Sequence, residues 1–273
     1  MSSIKSFHDS APSLFIQSGW DKSQLFGLNA SRDARHFVLR GTGGCALMEP
    51  EDSVGMRNLE LALSGRDRAG RQWRKRKRFS GFCLFGGTRM VMKHDPSIIV
   101  PGITEVFPAI QRYCPEAVTL GVIAKVGHMR YSEHGLVIHD EPDKPFVTIV
   151  HPTQTSSVIL QPSADMQASW DDEFQECIRI CDALRQSQWQ ALLVVYNGGG
   201  VTEKEILSWA KLGKMDPFWR VLLIKGSGRK ADEYASDSEW LAEHPTVHVC
   251  ENDLDDMRAK LAALGAIVDP EQV

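Results

Sequence analysis

Seven of the 22 glycines fall in three short clusters: Gly86-Gly87, Gly198-Gly199-Gly200, and Gly226 with Gly228. Each cluster directly follows an apolar run: Phe82–Phe85, Leu192–Tyr196 or Arg220–Lys225. Glycine lets a backbone turn sharply and brings main-chain N–H groups against a ligand with no Cβ in the way. A helix starting just beyond such a turn adds its partial positive end, so the combination favours phosphate. One such turn is weak evidence on its own. Three at the ends of apolar runs point to a phosphate or nucleotide site.

The polar residues around the clusters fit that chemistry. Thr88 and Arg89 follow the first, and Asn197 opens the second. Thr202 and Glu205 follow the second, where Thr202 could cap a helix, bond a ligand oxygen, or do both. Ser227, Arg229, Lys230 and Asp232 belong to the third. Two cations at a helix start oppose its dipole, an arrangement that suits a nearby anion. Asp232 either accepts a ribose hydroxyl or favours the first helical turn. The expected cradle consists of the N–H groups of Gly87, Gly199 and Gly228, with Arg229 adding charge. Thr202, Glu205 and Asp232 would then orient sugar hydroxyls.

Other chemistry is less well supported. The cysteines at 45, 83, 114, 177, 181 and 250 include no C-x-x-C pair, and the nine histidines form no HExxH. No metal site is therefore expected. Cys177 and Cys181, four apart on a probable helix, read as core residues. His128, Arg130, Tyr131 and His134 read as an exposed loop. Positions 66–78 hold eight basic residues and one acid, and read as a solvated loop before the first core strand. The net charge is −4, so nucleic acid is not an expected partner.

The elements that must position the glycines alternate. Phe82–Phe85, Val118–Lys125, Phe146–Val150, Ser157–Leu160, Leu192–Tyr196, Arg220–Lys225 and Thr246–Cys250 read as strands. Helical spacing covers Ile103–Tyr113, Trp170–Gln188, Glu203–Leu212, Arg229–Tyr234 and Asp253–Leu264. Residues 36–48 read as two short strands around a Gly41-Thr42-Gly43-Gly44 turn, and Asn58–Ser64 as strand or helix. Fully apolar strands alternating with helices imply an α/β fold, a mostly parallel sheet covered on both faces. Such sheets bind ligands at the carboxyl ends of their strands, near a topological switch point.

Two stretches carry a family resemblance. Ala191–Glu205, ALLVVYNGGGVTEKE, resembles the PGGxGTxxE signature of LOG and lysine decarboxylase-like proteins; Asn197 replaces its proline and Val201 its third glycine. Val221–Ala235, VLLIKGSGRKADEYA, resembles the GSGRxAD segment of the SLOG domain in TRPM channels and their prokaryotic relatives. The strand ending at Gly86-Gly87-Thr88 is similar to the first glycine loop of that superfamily. The resemblance spans roughly residues 79–265 and implies a Rossmann-like three-layer sandwich. It also implies a nucleotide-derived ligand such as ADP-ribose, cyclic ADP-ribose or an NAD-related molecule. The protein would act as a ligand sensor, signalling to a separate effector polypeptide, and as a homodimer. The LOG side of the resemblance implies an alternative: a phosphoribohydrolase that cleaves the N-glycosidic bond of nucleoside monophosphates. Glu205 would then be the catalytic carboxylate, with Arg89 or Arg229 holding the phosphate.

A third reading comes from Gly226–Ala231, which satisfies G-x-G-x-x-[GA] after a strand and before a helix, with Glu251 placed as a ribose-binding acid. That would make the protein an NAD-dependent oxidoreductase. The unit lies near the C-terminus, however, and no His-Asp or Tyr-Lys constellation accompanies it. With 42% hydrophobic and 24% charged residues, the composition excludes a fibrous or disordered chain. No apolar stretch reaches membrane-spanning length, and no leader pattern opens the chain. A soluble cytoplasmic protein is expected, with an N-terminal extension (1–78) before a nucleotide-binding domain (79–267).

Overall fold

Runs such as Leu192-Leu193-Val194-Val195 are apolar on both alternating faces, so they belong in a sheet covered on both sides. The computed structural model describes residues 13–17, 37–43, 52–72, 76–114, 117–125, 127–160, 168–185 and 189–269. Its first elements are β1 (Ser13–Gln17), β2 (Phe37–Gly43), α1 (Asp52–Ser64), β3 (Arg78–Phe79), β4 (Phe82–Phe85) and β5 (Thr88–Met92). One 3₁₀ turn (Ile103–Glu105) leads into α2 (Val106–Tyr113). Next come β6 (Val118–Ala124), β7 (Arg130–Ser132), β8 (Gly135–His139), β9 (Phe146–Val150), β10 (Ser156–Leu160) and α3 (Trp170–Leu184). The chain continues through β11 (Gln190–Tyr196), α4 (Gly200–Met215), β12 (Trp219–Lys225), α5 (Arg229–Ser236) and α6 (Ser238–Glu243). It closes with β13 (Val247–Glu251), α7 (Leu254–Ala263) and β14 (Ile267–Val268).

Eight strands form one sheet in the order β1-β10-β6-β4-β2-β11-β12-β13, and every neighbouring pair is parallel. Alternate residues point to opposite helix layers. Leu39, Leu192, Val194 and Leu222 pack with Leu59 and Leu63 of α1, Phe107 of α2 and Leu261 of α7. Val38, Leu84, Leu193 and Val195 pack with Ile180 of α3, Trp209 of α4 and Ala231 of α5. The result is a Rossmann-like three-layer α/β sandwich. No helix among the described residues is long and apolar enough to cross a membrane.

The order reverses at β2. From there the chain steps outward through β4, β6 and β10, then returns through α3 to β11 on the other side. The crevice at the carboxyl ends of β2 and β11 is therefore the topological switch point.

Three expectations need correction. Residues 37–43 are not two strands around a turn but one strand, running through Gly41-Thr42-Gly43. Bare glycine makes this possible, since a Cβ on Gly41 would lie 1.8 Å from the Phe107 ring. Secondly, β2 sits mid-sheet, so the expected boundary between residues 78 and 79 does not coincide with a break in the fold. β3 also pairs antiparallel with the C-terminal β14. Lastly, the first glycine cluster leads not into a helix but into β5, the edge of a four-stranded antiparallel sheet ordered β5-β9-β8-β7. That sheet has its own small core of Val91, Val137, Val147 and Ile149. The region left open at Asn58–Ser64 is helical, within α1. Gly44 and Cys45 lie outside the described residues.

Candidate functional site

The exits of β11 and β12 are joined by side chains from their own loops. Asn197 adopts φ 62°, and Gly198 follows at φ 109°. Asparagine tolerates the left-handed region because its amide can bond locally. Here Asn197 Oδ1 accepts the Gly198 N–H at 2.8 Å. The Asn197 N–H donates to Ser227 Oγ at 2.8 Å, and the Ser227 hydroxyl donates to the Ile224 carbonyl. Ser227 thus fastens one exit to the other and is itself buried. Asp232 Oδ1 accepts the Gly226 N–H at 2.6 Å, which closes the third loop. Thr202 packs on Gly198, where a Cβ would lie 2.5 Å from its methyl group. In this structure Ser227, Asp232 and Thr202 shape the loops rather than reach out of them.

The helix starts at these exits differ from those of α3, α6 and α7. Ser169 caps α3 in a capping box, Asp237 caps α6 and Asp253 caps α7. No side chain caps α4 or α5, whose N-caps are Gly199 and Gly228. The first-turn N–H groups of α4 have no partner among the described residues and are open to an outside acceptor, whereas in α5 the Lys230 and Ala231 N–H groups donate to the Gly198 and Asn197 carbonyls at 3.4 and 3.1 Å. The N–H groups of Gly199 and Gly228 have no partner among the described residues.

Arg229, itself at φ 49°, is exposed and makes no ion pair among the described residues. Its Nη2 lies 2.6 Å from where a Cβ on Gly199 would be. The guanidinium thus stands against an uncapped helix N-terminus, two positive features with no acidic side chain between them among the described residues. Lys230, expected to share this role, instead bonds Glu203 at 2.9 Å and Glu233 at 2.8 Å. Hydrogen bonds donated to those two acids hold its ammonium above the ordinary value.

At the first exit the charges are already matched. Arg89 binds Glu105 in a fork, Nε to Oε1 at 2.9 Å and Nη2 to Oε2 at 2.7 Å. It is therefore not a free phosphate holder, and Glu105 is its partner. Glu105 Oε2 also lies 3.4 Å from Nε2 of the fully buried His151. The Thr153 N–H donates to His151 Nδ1 at 3.0 Å, which leaves Nε2 to carry the ring proton. Burial pushes Glu105 up, but hydrogen bonds from His151 and Arg89 outweigh it and hold the carboxyl below its ordinary value. Burial holds His151 below its ordinary value despite Glu105.

Beneath the crevice lies a cluster that sequence reasoning missed. Arg40, 4% exposed, projects from β2 into the α3–α4 layer. Its Nε donates to Glu205 Oε1 at 2.8 Å and its Nη2 to Glu173 Oε1 at 2.9 Å. Burial opposes the Arg40 charge; Cys177, Glu205 and Glu173 outweigh it and hold the guanidinium well above its ordinary value. Burial raises the Glu173 carboxyl, against the pull of Arg40. Glu205, the carboxylate nominated for hydrolysis, is 1% exposed and engaged on one oxygen. Arg40 Nη1 and Glu205 Oε2 are buried without a hydrogen-bond partner among the described residues. Burial likewise raises the Cys83, Cys177 and Cys181 thiols, so they are inert core residues rather than nucleophiles. Among the described residues no group of His, Cys, Asp and Glu could hold a metal.

The glycines of the three exits serve different purposes. Gly87 has φ 60°, and a Cβ there would lie 2.8 Å from the backbone of Gly121, so the fold itself requires glycine. Gly226 and Gly228, at φ 82° and 96°, need glycine for their conformation. Gly86 and Gly200 are neither strained nor crowded: the nearest atom to a Cβ at 86 is 3.4 Å away, and nothing lies within 4 Å at 200. At 200 glycine faces open space, whereas a Cβ at 86 would stand in ordinary contact with Glu173 and Thr104.

Of the remaining sequence candidates, Thr88 begins β5 and pairs with Val150, away from the two joined exits. Glu251 is exposed at the end of β13, and its N–H is taken by Asp256. Arg130 pairs with Asp140 in the β7–β8 hairpin. In the basic run, Arg66 is buried against Glu60 and the Tyr113 ring, while Arg68 bonds Asp253 and Asp255. Neither a scan against protein-family models nor a search of curated proteins finds a match to this chain.

Proposed function

We propose that this protein binds a nucleotide-derived ligand of the ADP-ribose class, seating its phosphates at the exits of β11 and β12. The observation that carries this reading is the unpaired Arg229 against the uncapped start of α4, at the switch point of a parallel sheet. A phosphate there would accept main-chain N–H groups and pair with the guanidinium at once. Cyclic ADP-ribose and NAD-related molecules offer the same diphosphate or ribosyl phosphate groups. The role as a sensor for a separate effector rests on the SLOG resemblance. Glycosidic hydrolysis is the second reading, favoured by the unpaired Oε2 of Glu205 beside Arg40.

The test is a thermal-shift series with ADP-ribose, cyclic ADP-ribose, NAD and AMP, followed by chromatography of the recovered ligand. A raised melting temperature with ADP-ribose, recovered intact, is expected. Release of free base from AMP would favour the hydrolase, and absence of any shift across the series would end the site assignment.

A further inference from the structure

The two acids expected to meet a sugar are otherwise engaged: Glu205 lies under Arg40, and Asp232 is turned onto its own loop. The acid placed to do so is Glu173. It stands in the first turn of α3, the helix that leads into β11, and so lies at the same edge of the sheet as the glycine exits. Its Oε1 lies 3.4 Å, and its Oε2 3.9 Å, from where a Cβ on Gly86 would be. Oε1 is held by Arg40, while Oε2 has no partner among the described residues. Within the triad Glu173 reaches furthest toward solvent, its side chain 10% exposed against 4% for Arg40 and 1% for Glu205. Gly86 above it needs glycine neither for φ nor for packing, so the missing methyl serves to keep the carboxylate uncovered.

A buried ion cluster with polar atoms left unpaired calls for an explanation, because each such atom has given up water without a replacement partner. Here Arg40 Nη1 and Glu205 Oε2 both lack a hydrogen-bond partner among the described residues. A hydroxyl-bearing ligand entering over Gly86 would meet a carboxylate whose direction is fixed from behind. We propose that Glu173 reads the ribose hydroxyls of the bound ligand, with Arg40 as its positioning residue. This rests on the reading of the crevice as a site for a ribosyl, nucleotide-derived ligand.

The test is calorimetric binding of ADP-ribose and of analogues lacking one ribose hydroxyl, to the full chain and to Glu173→Gln. The unmodified protein should prefer ADP-ribose over at least one analogue by about tenfold or more, the value of a hydrogen bond to a charged acceptor. Glu173→Gln should bring the two affinities close together. A purely structural Glu173 would shift both affinities alike, so a preserved ratio overturns the proposal. No preference in the unmodified protein also overturns it, while leaving the phosphate site standing. Failure to bind ADP-ribose at all removes both. If Glu173→Gln does not fold, Gly86→Ala asks the same question with the triad intact. Its methyl would cover the carboxylate without backbone strain, and the preference should fall at an unchanged melting temperature. A preference that survives Gly86→Ala overturns the proposal too.

Discussion

The exit of β4 and the paired exits of β11 and β12 share an edge of one sheet and a glycine-rich sequence, yet they handle charge in opposite ways. At β4, Arg89, Glu105 and His151 satisfy one another. Below it, Arg40 is held between Glu173 and Glu205. At β11 and β12 a helix start lacks a side-chain cap and Arg229 has no acid beside it among the described residues. A matched charge holds a fold together, whereas an unmatched one beside open N–H groups is set for something from outside. Arginine at a glycine turn therefore means different things depending on what lies within about 3 Å of it.

The contrast breaks most visibly at Arg40. Arg40→Ala leaves two buried carboxylates without their cation, and should lower unfolding free energy by about 3–5 kcal/mol in urea denaturation. A loss below about 1 kcal/mol would mean the triad is not structural. Next, Gly87→Ala should cost roughly 2–4 kcal/mol from its positive φ and its contact with Gly121. Gly200→Ala, with open space and a helical position, should instead gain up to about 1 kcal/mol while weakening ADP-ribose binding. Equal stabilities for these two variants would erase the distinction between structural and ligand-facing glycines.

Arg229→Ala should leave the melting temperature unchanged and remove about 1.5–3 kcal/mol of ADP-ribose binding by calorimetry. A falling melting temperature with intact binding would reverse the roles assigned to the two regions. The smallest effect is one of pH. His151 has a folded pKa below its unfolded value, so its contribution is present above about pH 6.5 and is lost as pH falls toward the folded pKa. Unfolding free energies of the unmodified protein and His151→Gln should therefore converge on acidification below that point. Parallel curves would show that His151 is not the titrating group.

The α/β architecture was legible because its strands are long, apolar and regularly interrupted. Gln190–Tyr196 and Trp219–Lys225 fall within two residues of where hydrophobic runs and glycines place them. The glycine exits were legible for the same reason. β2 was not, because Gly41 and Gly43 imitate a turn; only the close approach of the Phe107 ring and the Tyr196 carbonyl explains glycine inside that strand. Arg40 escaped notice because a charge in a strand reads as a surface residue until its partners, far along the chain, are brought beside it. Glu173 was hidden in a run of three acids, Asp171-Asp172-Glu173, that looks like an ordinary helix start. Pairwise engagement, such as Arg89 with Glu105, cannot be read from one sequence, because both residues suit either a ligand or each other.

The central place of β2 also bears on how the molecule comes into being. One edge of β2 is met early, by β4, but the other waits for β11, after most of the chain has been synthesised. Until then the strand that joins the two halves of the sheet exposes a row of unpaired amides and carbonyls, a template for a second chain to pair with. A fragment ending before β11 would therefore keep that edge of β2 open, and pairing with β11 is what covers it in the full chain.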